Sequence, residues 1–113
     1  NIILNTTDDQ ALSDMAWMPK TRAALGSAGI SFTQGLSPHP LCCPARAEIL
    51  TGQYAQNNGV HTNSGVFGGY PSLREPDNTV QAWLKDAGYN TAMTGKFMNG
   101  YNYSRHGRPA GHR

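Results

Sequence analysis

The chain has 113 residues, which allows one domain at most and a modest hydrophobic core. It is 38% hydrophobic and 14% charged, and its 13 Gly and 7 Pro indicate a loop-rich piece of a larger protein. The net charge of +2 depends on three arginines in the last ten residues, so nucleic acid binding is not expected. No apolar run approaches the roughly 18 residues of a membrane span, so no membrane partner is predicted. The chain lacks an initiator Met and begins on an apolar run, so its start is interpreted as a processed or truncated end, from which the compartment is not inferred.

The first predicted element is a short buried strand, Ile2-Ile3-Leu4, which runs into polar residues at its carboxyl end. Open α/β sheets bind ligands at that end of their strands. Asp8 and Asp9 lie there, and adjacent carboxylates suit a hard divalent cation. Taken alone, such a pair more often consists of ordinary turn or capping acids.

The next predicted elements are a helix and a second strand. Pro19 is suited to open a helix over residues 20–27, which Gly26 and Gly29 would end. The alternation of Ile30-Ser31-Phe32-Thr33 predicts a short strand. Residues 36–41, with two prolines, should form an extended loop.

A second helix is predicted to begin near Pro44, which fits a first turn, and to stop at Gly52. Cys42 would then lie at a helix N-terminus, where partial positive charge and free N–H groups suit an anionic substrate and an ionised nucleophile. Vicinal cysteines make a poor disulfide and lack zinc-ligand spacing, so Cys43 is predicted to be a buried small apolar residue.

The remaining chain predicts a long loop, a helix and a third strand. The loop covers residues 54–77. Asp77 or Asn78 would cap the helix, Gly88 would end it, and a strand would follow over residues 89–94. The helix is indicated by apolar residues at helical spacing: Val80, Trp83, Leu84 and Ala87. This order of elements favours the α/β class.

The most specific motif is Cys42-Cys43-Pro44-Ala45-Arg46, followed by Leu50-Thr51-Gly52. It resembles the sulfatase maturation motif C-x-P-x-R-x-x-x-L-T-G, with Ala45 where serine is most common. The resemblance is to the N-terminal portion of formylglycine-dependent sulfatases of the alkaline phosphatase superfamily. It implies that a maturation enzyme oxidises Cys42 to formylglycine, whose hydrate attacks the sulfur of a sulfate ester.

The same resemblance implies roles for five residues. Asp8, Asp9 and Cys42 would be ligands of one calcium or magnesium ion. Arg46, one helical turn after Cys42, would hold the nucleophile, although an isolated helical arginine is usually solvated. Lys96 would contact the formylglycine and the sulfate oxygens. Cys42, Arg46 and Lys96 are therefore the predicted catalytic residues.

Other residues near Lys96 and in the loop refine the resemblance. Many sulfatases have a histidine two residues after this lysine, but here the residue is Met98. His61 is a candidate substrate contact, and a loop histidine bonded to backbone is the alternative. The neighbouring sequence is most similar to the branch acting on N-acetylglucosamine 6-sulfate and to related bacterial enzymes, which implies a sulfated sugar as substrate.

The resemblance implies an α/β fold, here the N-terminal part of a mostly parallel sheet flanked by helices. It covers residues 1–103 as the N-terminal segment of a catalytic domain, and residues 104–113 are predicted to be a flexible basic tail. An incomplete sheet exposes strand edges, which predicts self-association. Family members are commonly secreted, periplasmic or lysosomal.

Two other functions stay open at this point. Phosphate or phosphonate ester hydrolases of the same superfamily act on substrates of similar tetrahedral geometry. A catalytically inert, metal-binding remnant is the other alternative, because the metal-site residues, lysine and histidine that sulfatases contribute from later in their sequence have no counterpart in these 113 residues.

Overall fold

A computed structural model describes residues 1–101, and the predicted tail, residues 104–113, lies outside that range. The chain divides into two compact units, Asn1–Leu36 and Ser37–Arg113, called here the first and second units. Within residues 1–101, no helix combines the length and the apolar character that crossing a membrane requires.

The first unit contains a single run of short helices. A 3-10 helix, Leu12–Trp17, is followed by α1, Pro19–Thr21, and by a π-helical segment, Arg22–Gly26. Proline is at the first helical position of α1, where it lacks only an N–H that would have no helical partner. The helix predicted over residues 20–27 is therefore confirmed, with an unexpected π-helical second half.

The two strands predicted in the first unit are wrong. Neither Ile2–Leu4 nor Ile30–Thr33 forms a strand, and the side chains of Ile3 and Phe32 are 91% and 85% exposed. A strand is stabilised by backbone hydrogen bonds to a neighbouring strand and by burial of one face. Neither segment has a strand partner within the described residues, so the apolar pattern alone produces irregular, exposed chain.

The second unit is built around α2, Cys42–Thr51. Pro44 lies in the first turn as expected, and Gly52 ends the helix in a left-handed conformation, φ 68°, while its N–H donates to the Glu48 carbonyl at 2.8 Å. Both features match the predicted helix. A left-handed C-terminal residue favours glycine because it has no Cβ to clash.

The segment predicted as one long loop, residues 54–77, contains regular structure. It includes α3, Ala55–Asn58, and a 3-10 helix, Tyr70–Ser72. An isolated parallel bridge joins Thr62 to Gly68. The lack of long-range periodicity concealed these elements because each is only about one turn long.

The helix predicted after this loop is α4, Val80–Asp86. Its N-cap is Thr79 rather than Asp77 or Asn78. The Asn78 amide has other partners: its Oδ1 accepts a hydrogen bond from Trp83 Nε1 at 2.8 Å, and its Nδ2 donates to Glu75 at 2.8 Å. The Asn78 side chain therefore stabilises the first turn of α4 from a position that precedes the helix.

The predicted parallel sheet is not confirmed. Residues 89–94 form no strand, and the Thr62–Gly68 bridge is the one β-pairing among residues 1–101. The core lies instead in the second unit, between α2, the loop after α3 and the segment after α4. Its buried members are Cys43, Ala47, Val60, Leu73 and Met98, and Leu50, Tyr70 and Phe97 pack against them.

Candidate active site

The N-terminus of α2 holds Cys42, which is partly exposed and is not in a disulfide. The preceding residue, Leu41, is extended and has no side chain able to cap the helix. The cap comes from elsewhere in the chain. The backbone N–H of Cys43 donates a hydrogen bond of 2.8 Å to Oδ1 of Asn63, twenty residues later.

Cys43 is completely buried, as predicted, and it also has polar contacts. Its Sγ accepts a hydrogen bond of 3.1 Å from the backbone N–H of Asn99 and lies 4.0 Å from the carbonyl oxygen of Asn63. The residue next to the predicted nucleophile thus connects three segments: α2, the loop after α3 and the segment after α4.

Arg46 connects the same helix to Lys96. Its Nη1 donates a hydrogen bond of 2.6 Å to the backbone carbonyl of Lys96, fifty residues away. Because Arg46 lies one turn after Cys42, this bond fixes the chain around Lys96 near the first turn of α2. The second unit therefore contains all three predicted catalytic residues and links two of them directly.

Exposure falls steadily from Lys96 to Met98. Lys96 is exposed, Phe97 is half-buried and Met98 is buried in the core. Met98 occupies the position where many sulfatases have a histidine, and here it packs with Cys43 and Val60. This position consequently supplies apolar packing and no titratable group.

His61 is held through its backbone and its ring. Its N–H donates to the Phe67 carbonyl at 2.8 Å, and its ring meets the Phe67 ring edge-on with centroids 6.0 Å apart. These contacts agree with the alternative interpretation of a loop histidine tied to backbone. A substrate contact by His61 stays a prediction.

Asp8 and Asp9 lie in the first unit, at a bend, and both are exposed. Asp9 has a positive φ of 55°, the left-handed region that a short polar side chain tolerates better than most. The bend leaves Asp9 with a carboxylate in water, where either a cation or solvent can bind it. Their role as metal ligands stays a prediction.

Tyr70 is half-buried, and its pKa is shifted. Burial of its phenol raises its pKa above the ordinary value of 10.0, and the charge of Asp77 adds to the rise. Its ring packs edge-on against Tyr101 with centroids 4.8 Å apart. Tyr70 is therefore a neutral packing residue near the segment that carries Lys96.

Sequence reasoning missed Asn63 and Asn99. Asparagine is common in loops, and nothing in its local pattern signals that a side chain will cap a helix twenty residues earlier. The contact of Asn99 is made by its backbone N–H, which any residue other than proline could supply.

Comparison with known proteins gives one consistent family. The sulfatase family model matches residues 1–112. The chain is 41% identical to an extracellular sulfatase Sulf-1 homolog of Caenorhabditis elegans over 92% of its length, which is 15% of that relative. The chain is 40% identical to the human N-acetylglucosamine-6-sulfatase; the match covers 89% of the chain and 19% of that relative. It is 31% identical to an arylsulfatase of Chlamydomonas reinhardtii, in a match that covers 94% of the chain and 18% of that relative.

The chain thus spans less than a fifth of the length of these curated relatives. No solved structure matches it. The family's catalytic domain is α/β, which agrees with the predicted fold class although the sheet itself is not confirmed. The motif around Cys42, the family model and relatives with sulfatase names all agree: this chain belongs to the sulfatase family.

Proposed function

We propose that this chain forms part of the active site of a sulfuric ester hydrolase, with residue 42 as the nucleophile. The observation that carries the proposal is the first turn of α2. Cys42 begins this helix, and Arg46, one turn later, is hydrogen-bonded to the backbone of Lys96. A nucleophile position, a helix N-terminus and two cationic residues therefore belong to one unit.

The charges in this unit suit an anionic ester. The N-terminus of a helix carries a partial positive charge, and unsatisfied N–H groups there bind oxyanions. The guanidinium of Arg46 and the ammonium of Lys96 add two formal positive charges. In sulfate transfer they would orient the ester and stabilise negative charge that develops on its oxygens.

We also propose that Cys42 is converted to formylglycine by a maturation enzyme and that Asp8, Asp9 and residue 42 bind one calcium or magnesium ion. The donor chemistry fits: carboxylates and an aldehyde hydrate provide the oxygen ligands that hard cations prefer, whereas a thiolate would not. Formylglycine would supply an oxygen nucleophile at residue 42, and the cation would supply charge stabilisation.

For the substrate we propose the sulfate ester of a sugar. The support is the relative named N-acetylglucosamine-6-sulfatase, together with the sequence around Lys96. Most of the length of such relatives lies outside this chain, so the proposal concerns the whole enzyme to which these residues contribute.

The decisive experiment examines residue 42 by mass spectrometry. The chain is expressed with and without a formylglycine-generating enzyme, and the peptide containing residue 42 is analysed. We expect conversion of the thiol to the aldehyde only with that enzyme, and none at Cys43. A thiol that persists at residue 42 beside a competent maturation enzyme would overturn the proposal.

Activity is then measured on an aryl sulfate and an aryl phosphate with matched leaving groups. Cys42→Ala and Arg46→Ala should each remove sulfate ester hydrolysis. Arg74→Ala is the matched control, because Arg74 also donates to backbone carbonyls in the second unit, those of Gln56 and Asn57, but not to the Lys96 segment.

Each other result selects an alternative. Faster turnover of the phosphate would identify a phosphate or phosphonate ester hydrolase. Calcium binding measured by titration calorimetry, with aldehyde formed but neither ester hydrolysed, would identify an inert metal-binding remnant. Loss of calcium binding in Asp8→Asn and Asp9→Asn variants would assign the ligands.

A further inference from the structure

The first turn of α2 is capped by a side chain that is remote in sequence. Leu41 cannot cap the helix, and the N–H of Cys43 donates instead to Oδ1 of Asn63 at 2.8 Å. Asparagine is among the best capping residues when it directly precedes a helix. Here the same chemistry comes from the loop after α3, so the cap forms only when the chain has folded.

The loop that carries Asn63 is itself closed by backbone hydrogen bonds. The N–H of Thr62 donates to the Phe67 carbonyl at 3.1 Å, and the N–H of Gly69 donates to the Thr62 carbonyl at 2.9 Å. The residues on both sides of Asn63 are therefore fixed, because the Thr62 hydroxyl also donates to the Ser64 carbonyl. A fixed loop can orient the Asn63 amide toward α2.

A second support reaches Cys43 from the opposite segment. The Asn99 N–H donates to Cys43 Sγ at 3.1 Å, and the Asn99 carbonyl accepts from the Tyr70 N–H at 2.8 Å. Cys43 is thus bonded through its main chain by Asn63 and through its side chain by Asn99. It has little freedom to rotate.

The bond to Asn63 acts on residue 42 through one rigid peptide. The N–H of Cys43 and the Cα of Cys42 lie in the same peptide plane, which is held flat by the partial double bond. Fixing the direction of that N–H consequently fixes the orientation of this plane relative to the loop. The side chain of residue 42 leaves from the same Cα.

We propose that Asn63 is a positioning residue: its hydrogen bond to the Cys43 N–H orients residue 42 at the N-terminus of α2. The bond itself is independent of the proposed function, and its effect on turnover rests on that function. Asn63 acts through the peptide and is not assigned a contact with the substrate.

The test compares two variants. Asn63→Ala removes the acceptor oxygen, whereas Asn63→Asp replaces the amide oxygen with a carboxylate oxygen that can also accept. Asn57→Ala is the matched control, since Asn57 is an exposed asparagine of the same unit. Hydrogen exchange of the Cys43 amide is followed by NMR in the chain made without maturation enzyme. The Gly52 amide, which bonds to Glu48 at the other end of α2, is the internal reference.

We expect Asn63→Ala to lower protection of the Cys43 amide about tenfold while leaving Gly52 unchanged. Asn63→Asp should restore protection, and Asn57→Ala should have no effect. Unchanged protection at Cys43, equal loss at Cys43 and Gly52, or failure of Asn63→Asp to rescue would each overturn the proposal.

Turnover in the matured chain provides a separate measurement. A misplaced nucleophile should lower kcat by about tenfold or more with little change in KM. Aldehyde formation should be normal in Asn63→Ala, because the maturation motif is intact. A normal kcat in Asn63→Ala would overturn the positioning role. A parent chain that is not matured would overturn only the proposed function, and the exchange result would still be decisive for Asn63.

Discussion

The two units of this chain differ in what they do with their apolar residues. None of residues 1–36 is buried, and Leu12 and Ile3 are about nine-tenths exposed at 89% and 91%. In the second unit, Cys43, Ala47 and Val60 are completely buried. The difference shows that an apolar pattern becomes a core only where the same unit supplies partners for it.

The second unit supplies those partners through contacts between distant residues. The hydrogen bonds that Cys43 donates to Asn63, Arg46 to Lys96 and Asn99 to Cys43 join residues 20 to 56 positions apart. The first unit contains local hydrogen bonds, such as the one that the Ala11 N–H donates to Asp14. The segments around the predicted nucleophile are therefore joined to one another by contacts between residues distant in sequence.

The largest expected effect is on the free energy of unfolding, and it is tested by replacing one leucine in each unit. Leu73 is 7% exposed in the core, and Leu12 is 89% exposed. Leu73→Ala should lower the free energy of unfolding by about 2–5 kcal/mol, because it loses buried area and leaves a cavity. Leu12→Ala should change it by less than about 0.5 kcal/mol.

Urea unfolding of the two variants, followed by tryptophan fluorescence, measures this contrast. Trp17 reports on the first unit and Trp83 on the second, so each variant is made in a background with one tryptophan replaced by phenylalanine. Equal destabilisation by both leucine changes would show that the two units do not differ in burial.

A smaller loss of stability is expected where the backbone of Gly69 closely approaches the carbonyl of Asn99. Gly69 has φ 66°, and a Cβ there would meet the carbonyl oxygen of Asn99. Gly65 has φ 84°, but a Cβ there meets nothing within 4 Å. Gly65→Ala should therefore cost only the left-handed strain, about 1–2 kcal/mol, whereas Gly69→Ala should cost more.

The measurement is again urea unfolding, together with exchange of the Asn99 amide, which bonds to Cys43. Gly69→Ala should lower protection of that amide, and Gly65→Ala should not. If the two glycine changes have the same cost, the approach of residue 69 to Asn99 contributes nothing to the second unit.

The smallest effect appears at alkaline pH and concerns the second unit alone, because residues 1–36 contain no tyrosine. The pKa of Tyr70 is raised in the folded state by burial and by Asp77. The unfolded chain therefore loses this proton at lower pH, and stability falls as pH rises from 10.0 toward the folded pKa. Below that range the contribution is fully present.

Tyr70→Phe should reduce this alkaline loss of stability. Urea midpoints are compared between neutral pH and pH above 10.0, with Trp83 as the reporter. An identical alkaline loss in wild-type and Tyr70→Phe chains would show that the phenol titrates normally.

The sequence by itself determined two things: the helix that carries the motif, and the family to which the chain belongs. Pro44 and Gly52 mark the first turn and the end of α2 through local backbone rules, and the offsets of Cys42, Pro44 and Arg46 form a motif readable without any structure. The burial of Cys43 was also predictable from residue type.

Tertiary structure alone decided which apolar segments are buried and what holds residue 42. Ile2–Leu4 has the pattern of a buried strand, but pairing and burial need a neighbour that no local rule supplies, and the segment is exposed. Likewise, Leu41 predicts an uncapped helix, and Asn63 caps it from twenty residues beyond Cys43. Local propensity depends on adjacent residues, whereas burial and capping of this kind depend on contacts that form only when distant segments meet.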